Sequence, residues 1–232
     1  MAQTAFSISM AGASSDYQAA RQDLMTAELE LRQSVERVAA MRRALPPGPQ
    51  VRDYEFVDDT GRVKLSELFA PGKPYLVMYH FMYWQDDQEF CPMCSMWVDG
   101  WDGIAHHIAQ RANIVASSLA PYDKVRSWKA HRNWGRIQVL ADADPSLARD
   151  TGAEDDKGSP CSTVIVFEKA GDTIRHVYTS HAEFPDATYR GIDQLCPTWH
   201  ILDLLPSGRG DWNAGNDYVT PSAPPTPAHE VR

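Results

Sequence analysis

Phe90-Cys91-Pro92-Met93-Cys94-Ser95 sets two cysteines, with two residues between them, at the meeting point of two differently patterned segments. Before it runs Pro74-Tyr75-Leu76-Val77-Met78-Tyr79-His80-Phe81-Met82, apolar without alternation, as a strand buried on both faces should read. After it a helix is expected from about Ser95 to Gln110, with Trp97, Trp101, Ile104 and Ile108 along one side. Thiols at i and i+3 in a first helical turn share one face and can form a disulfide after a small rearrangement. The first thiol meets the unpaired N–H groups and the positive dipole end, which favour its thiolate. Cys91 is therefore the expected nucleophile and Cys94 the expected resolving thiol. Pro92 suits the first helical position, where a missing N–H does no harm. Asp86, Asp87 and Glu89 crowd the preceding loop and would raise the Cys91 pKa if they lie near the sulfur.

Moving outward toward the N-terminus, Tyr54-Glu55-Phe56-Val57 reads as a strand, Asp58-Asp59-Thr60-Gly61 as a turn, and Lys64 to Phe69 as a short helical turn. Upstream lies one long helical pattern from Asp16 to Leu45. In it Tyr17, Ala20, Leu24, Ala27, Leu31, Ser34, Val38, Met41 and Leu45 step alternately by three and four. Pro46-Pro47-Gly48-Pro49 stops it. So narrow a stripe resembles a coiled-coil seam, open to packing on its own body or to pairing with a second copy.

Toward the C-terminus, Asn113–Ser118 reads as a strand, Pro121 to Arg132 as a helix and Arg136 to Ala141 as a strand. Pro145 to Thr151 reads as a brief helix capped by Asp144 and stopped by Gly152. Thr163–Phe167 and Thr173–Tyr178 flank Ala170-Gly171-Asp172 as a hairpin. Gly191 to Leu205 reads as a final helix. The order gives an α/β fold: a thioredoxin-like three-layer sandwich with a mixed central sheet and an N-terminal helical extension. The expected organisation is residues 1–49 as the extension, 50–212 as the thioredoxin-like domain and 213–232 as a Pro-rich tail.

The 232 residues suffice for one good core. A net charge of -9 argues against a nucleic-acid partner and against electrostatic docking on an anionic membrane. No apolar run approaches the ~20 residues that span a bilayer, and residues 1–15 do not read as a signal peptide. A cytoplasmic location is the expectation, and there a close cysteine pair is catalytic or metal-binding rather than a staple.

A zinc site usually brings a second Cys/His pair, whereas Cys161 and Cys196 are isolated and His106-His107 are adjacent. No metal and no cofactor are therefore expected. A peroxidatic site would carry a Thr three residues before its cysteine; Gln88 stands there. Two alternatives stay open beside the oxidoreductase: a non-catalytic binding or dimerisation protein on the same fold, and a peroxiredoxin-like peroxidase that lacks the usual constellation. Pro92, Pro160, Trp84 and Phe90 are candidates for the substrate groove, and Ser159–Pro160, just before the hairpin, is expected to be a cis bond. His80, Asp99 and Cys161 are possible accessory groups: His80 as a proton relay, Asp99 as acceptor of the Cys94 proton, Cys161 as a third thiol. Their plainer readings are a core histidine, a solvated helix charge and a buried structural cysteine.

Several blocks carry a family resemblance: Tyr54-Glu55-Phe56, Leu65 to Phe69, Tyr79 to Met82, Cys91 to Gly100, Arg190-Gly191-Ile192-Asp193 and Leu202 to Arg209. Together they resemble the DUF899 family of bacterial thioredoxin-like proteins, described as predicted dithiol–disulfide oxidoreductases. The resemblance covers about residues 25–212 and implies the thioredoxin fold and a Cys-x-x-Cys site, with no substrate assigned; from the thiol pair itself a protein or small-molecule disulfide or dithiol is the expected partner. Cys161 departs from it, standing where a small residue is expected.

Overall fold

The computed structural model describes residues 10–85, 88–183 and 192–217. The chain divides into two compact units, Met1–Pro46 and Pro47–Arg232. The first holds one helix, α1 (Ser15–Arg43). Ser14 caps it by accepting the Tyr17 N–H at 3.2 Å, with Asp16 in its first turn and Arg42 and Arg43 in its last, each sign opposing the helix dipole.

The second unit runs β1 (Glu55–Asp58), β2 (Gly61–Lys64), a 3-10 turn (Leu65–Leu68), β3 (Tyr75–His80), β4 (Tyr83–Trp84), β5 (Glu89–Phe90) and α2 (Pro92–Ile108). Then come β6 (Asn113–Ser118), α3 (Tyr122–His131), β7 (Gln138–Asp142), α4 (Ser146–Thr151), β8 (Thr163–Ala170), β9 (Thr173–His181), a 3-10 turn (Asp193–Leu195) and α5 (Pro197–Leu202).

Seven strands form one sheet in the order β2-β1-β7-β6-β3-β8-β9. β3, β6 and β7 are parallel; β8 runs antiparallel beside β3, and β9 beside β8. Within it, β6-β3-β8-β9 with α2 and α5 is the thioredoxin-like core, in which a helix follows the central strand directly. β7 and the β1–β2 hairpin widen it on one edge. Helices and aromatic side chains cover both faces, giving the expected three-layer sandwich.

Alternation along the strands decides which side chains reach which layer. On β3, Val77 and Tyr79 join the cluster that contains Trp97 and Val98 of α2, Val125 of α3 and Trp199 of α5. Leu76 and Met78 join the opposite cluster, with Phe56, Leu140, Leu147 of α4, Ile165 and Phe167. The strand therefore reads as continuously apolar because each face has its own core.

Several boundaries differ from expectation for local reasons. α2 begins at Pro92 rather than Ser95, because Cys91 already serves as its cap. Its buried side runs through Cys94, Trp97, Val98, Trp101, Asp102 and Ala105, so Ile104, 41% exposed, is not on it. The expected helix over residues 191–205 is instead a 3-10 turn and the six-residue α5, because Pro197 opens a new helix after Cys196. Residues 213–217, expected to be tail, are held down: Arg132 donates to the Gly215 and Asn216 carbonyls, and Asn216 Nδ2 donates to the Phe90 carbonyl at 3.1 Å. The remainder of that expected tail, residues 218–232, lies outside the described residues.

Candidate active site

β3 ends at His80, and β4 and β5 pair antiparallel, Tyr83 opposite Phe90, before the chain enters α2. This small hairpin lowers Cys91 onto the helix start. The Cys91 N–H donates to the Met82 carbonyl at 3.2 Å, and the Cys94 N–H donates to Cys91 Sγ at 3.4 Å. Both cysteines are free thiols, Cys91 8% and Cys94 2% exposed. Cys91 is the more accessible of the two, as a nucleophile should be.

The helix start does act on Cys91, through N–H bonds from Met93 and Cys94, but it does not win. The hydrogen bond shared with Cys94, then burial, push the Cys91 thiol well up. For Cys94, burial pushes upward, but hydrogen bonds from Cys91, Tyr79, the Met82 backbone and Ser162 bring it down to about 6. Two thiols in contact give up their first proton easily, because the remaining S–H bonds to the thiolate, and their second with difficulty. The other donors converge on Cys94, so the pull toward the ionised form of the pair is directed there. Expectation had put it on Cys91. Of the acidic loop expected to perturb Cys91, Asp86 and Asp87 lie outside the described residues; Glu89 is exposed and is not among the groups that shift the thiol.

Sequence reasoning missed the donors. Tyr79 Oη and Ser162 Oγ are 2.6 Å apart, both buried. The Tyr79 ring is fixed between Trp97 and Trp101, with centroids at 5.8 and 5.5 Å. Each hydroxyl has one proton, so one donates to the other and the second O–H reaches the Cys94 sulfur. The available signal was a tyrosine inside an apolar run, since a buried phenol needs a partner.

The accessory candidates sit elsewhere. His80 alternates away from Tyr79 and faces the other layer, where Nε2 lies 3.1 Å from Asp142 Oδ2. Asp99 does not reach Cys94: its carboxylate accepts from Arg132 and from Trp134 Nε1 at 2.7 Å, clamping α2 to the end of α3. Ser162 rather than Cys161 faces the pair, and burial, with Asp155 and Glu183 nearby, raises the Cys161 thiol. Cys196 is buried at the start of α5.

The groove candidates divide as well. Pro92 takes the first turn of α2 as expected. Phe90 is core, packed on Phe81, Tyr83 and Trp128 at centroid distances of 4.9–5.4 Å. The Ser159–Pro160 bond is trans rather than cis. Pro160 is fixed by its bridge to Glu154, and the next N–H, of Cys161, donates to the Ala153 carbonyl at 2.7 Å. Trp84 and Pro160 both line a cavity of about 670 Å³ at the carboxyl ends of the parallel strands. Among the described residues no group of three or more His, Cys, Asp or Glu side chains is assembled to hold a metal.

A family described as "Bacterial protein of unknown function (DUF899)" matches residues 8–222. The chain belongs to that family. Solved structures similar to this DUF899 protein include reduced Prx3 in complex with H2O2 from Vibrio vulnificus, at 17% identity, 66% of this chain, 95% of the other and a TM-score of 0.45. Mycobacterium bovis AhpC gives 17%, 73%, 98% and 0.46. The pneumococcal exposed lipoprotein thioredoxin Etrx1 from Streptococcus pneumoniae gives 18%, 63%, 99% and 0.42. No curated protein matches the chain. Among the described residues no helix is long and apolar enough to cross a membrane.

Proposed function

We propose that this DUF899 protein is a thiol–disulfide oxidoreductase whose working group is the Cys91–Cys94 dithiol. The observation that carries the reading is the geometry of the pair. One thiol caps a helix, the other lies one turn along, and two buried hydroxyls aim a proton at the second sulfur. Passing the shared proton from Cys91 to Cys94 leaves the more accessible sulfur as thiolate. Cys91 attacks a substrate disulfide and releases one thiolate. Cys94 returns its proton to the leaving thiolate, attacks Cys91 and releases the second. Trp84, Pro92 and Pro160 flank the approach.

The same reading takes residues 50–212 as the catalytic domain, acting in the cytoplasm on a soluble disulfide or dithiol. The seam of α1 suits pairing with a second copy. A dithiol-dependent disulfide reduction assay tests the core of it. The wild type should turn over, and Cys91→Ser should lose the activity. Equal rates in the two proteins would remove the thiol pair from the chemistry.

A further inference from the structure

The cavity of about 670 Å³ is of the size that holds a small molecule, and it lies where open α/β sheets take their ligands, outside the carboxyl ends of the strands. Neither Cys91 nor Cys94 lines it, but it approaches the neighbours of the pair from two sides. Tyr83 lines it and packs on Phe90, the residue before Cys91, with centroids 4.9 Å apart. Pro160 lines it two residues before Ser162, whose hydroxyl belongs to the Cys94 network.

Its charged lining is of both signs. Asp144 and Lys157 are exposed on its wall, and Arg149 stands 3.4 Å from Glu154. A substrate with only carboxylates would meet Asp144, Glu154 and Asp142, the last already paired with His80, on a protein of net charge -9. A substrate with only ammonium groups would leave Lys157 and Arg149 facing like charge. A substrate with both can set an ammonium against Asp144 and a carboxylate against Lys157. Trp84 offers an aromatic wall for its carbon and sulfur atoms.

We infer that this cavity is the substrate pocket of the thiol pair, and that it takes a low-molecular-weight disulfide carrying both ammonium and carboxylate groups, of the amino-acid type. This rests on the oxidoreductase reading above. In the reaction, one such disulfide and the Cys91–Cys94 dithiol give two small thiols and the Cys91–Cys94 disulfide. Two electrons and two protons pass to the substrate. An external dithiol reductant, dithiothreitol in the assay, restores the pair.

The test uses four disulfides that differ in charge: cystine with both signs, cystamine with ammonium only, dithiodiglycolate with carboxylate only, and neutral hydroxyethyl disulfide. Reduced insulin chains are followed as a protein-disulfide arm. kcat/KM should be highest for cystine. Lys157→Met should lower the preference for cystine over hydroxyethyl disulfide about fivefold, the effect of one exposed charge pair. Asp144→Asn, which keeps a side-chain acceptor for the Ser146 N–H, should lower the preference for cystine over dithiodiglycolate. Turnover of hydroxyethyl disulfide that Cys91→Ser abolishes, with no preference for cystine or with insulin favoured over all four, overturns the pocket and leaves the thiol chemistry standing. Turnover of none of the five overturns both.

Discussion

Removing the two hydroxyls behind Cys94, by Tyr79→Phe with Ser162→Ala, is the perturbation that separates this site from a bare cysteine pair. The phenylalanine keeps the ring between Trp97 and Trp101, so the aromatic layer survives. What is lost is the O–H that reaches the Cys94 sulfur. A hydrogen bond to a charged group contributes about 1.5–3 kcal/mol. At 1.36 kcal/mol per unit that is about one to two pKa units, so the first ionisation of the pair should move from about 6 to about 7–8. Because the thiolate stabilises the reduced form, the potential of the couple should fall by roughly 20–30 mV at pH 7, and by roughly 30–60 mV once the pH is above both first ionisations. Either hydroxyl alone can still reach the sulfur. Each single variant should therefore shift the ionisation by clearly less than half of the double, a non-additive pair. Thiolate ultraviolet absorbance against pH, with the cysteines alkylated as a blank, reads the first quantity; equilibration with glutathione buffers reads the second. An unchanged ionisation in the double variant would refute the hydroxyl network as its cause.

Three further outcomes follow from the same structure. The depressed value of Cys94 makes the dithiol form's added stability fully present above the ordinary thiol value of about 8.5, and lost as pH falls through about 6. Relative to Cys94→Ala, the reduced protein should gain stability between these limits in urea unfolding, and lose it again at higher pH as the raised Cys91 opposes ionisation. Arg132→Met breaks an almost buried pair with Asp99 and frees the Gly215–Asn216 segment, and should cost about 3 kcal/mol of unfolding free energy while leaving the thiol ionisation in place. Gly152 has φ +75°, and a Cβ there would lie 3.0 Å from His181 Cε1; Gly152→Ala should cost about 1–2 kcal/mol, read as a lowered urea midpoint.

The sequence was most legible where pattern and chemistry coincide. The buried strand, the cysteine spacing and the hairpin around Gly171 each follow from local composition, and Gly152 does take the left-handed stop expected of it. What stayed hidden was set by pairing across the sheet. That Tyr79 meets Ser162, 83 positions along the chain, depends on the register Tyr79↔Val164 between β3 and β8. The same alternation sends His80 to Asp142 on the opposite face. Asp99 looked like a surface charge because its cation, Arg132, and its indole donor, Trp134, arrive from a different element. The two-residue strands β4 and β5 are too short to leave a period.

The central claim is that Cys91 and Cys94 act as one redox unit. Equilibrating the protein across a series of dithiothreitol redox buffers, trapping with alkylating agent and weighing the peptide that holds both cysteines tests it directly. The account predicts one transition in which both thiols disappear together, with a two-electron slope, and no such transition in Cys91→Ser or Cys94→Ser. Two thiols that stay alkylatable throughout, or that oxidise independently of one another, would contradict it.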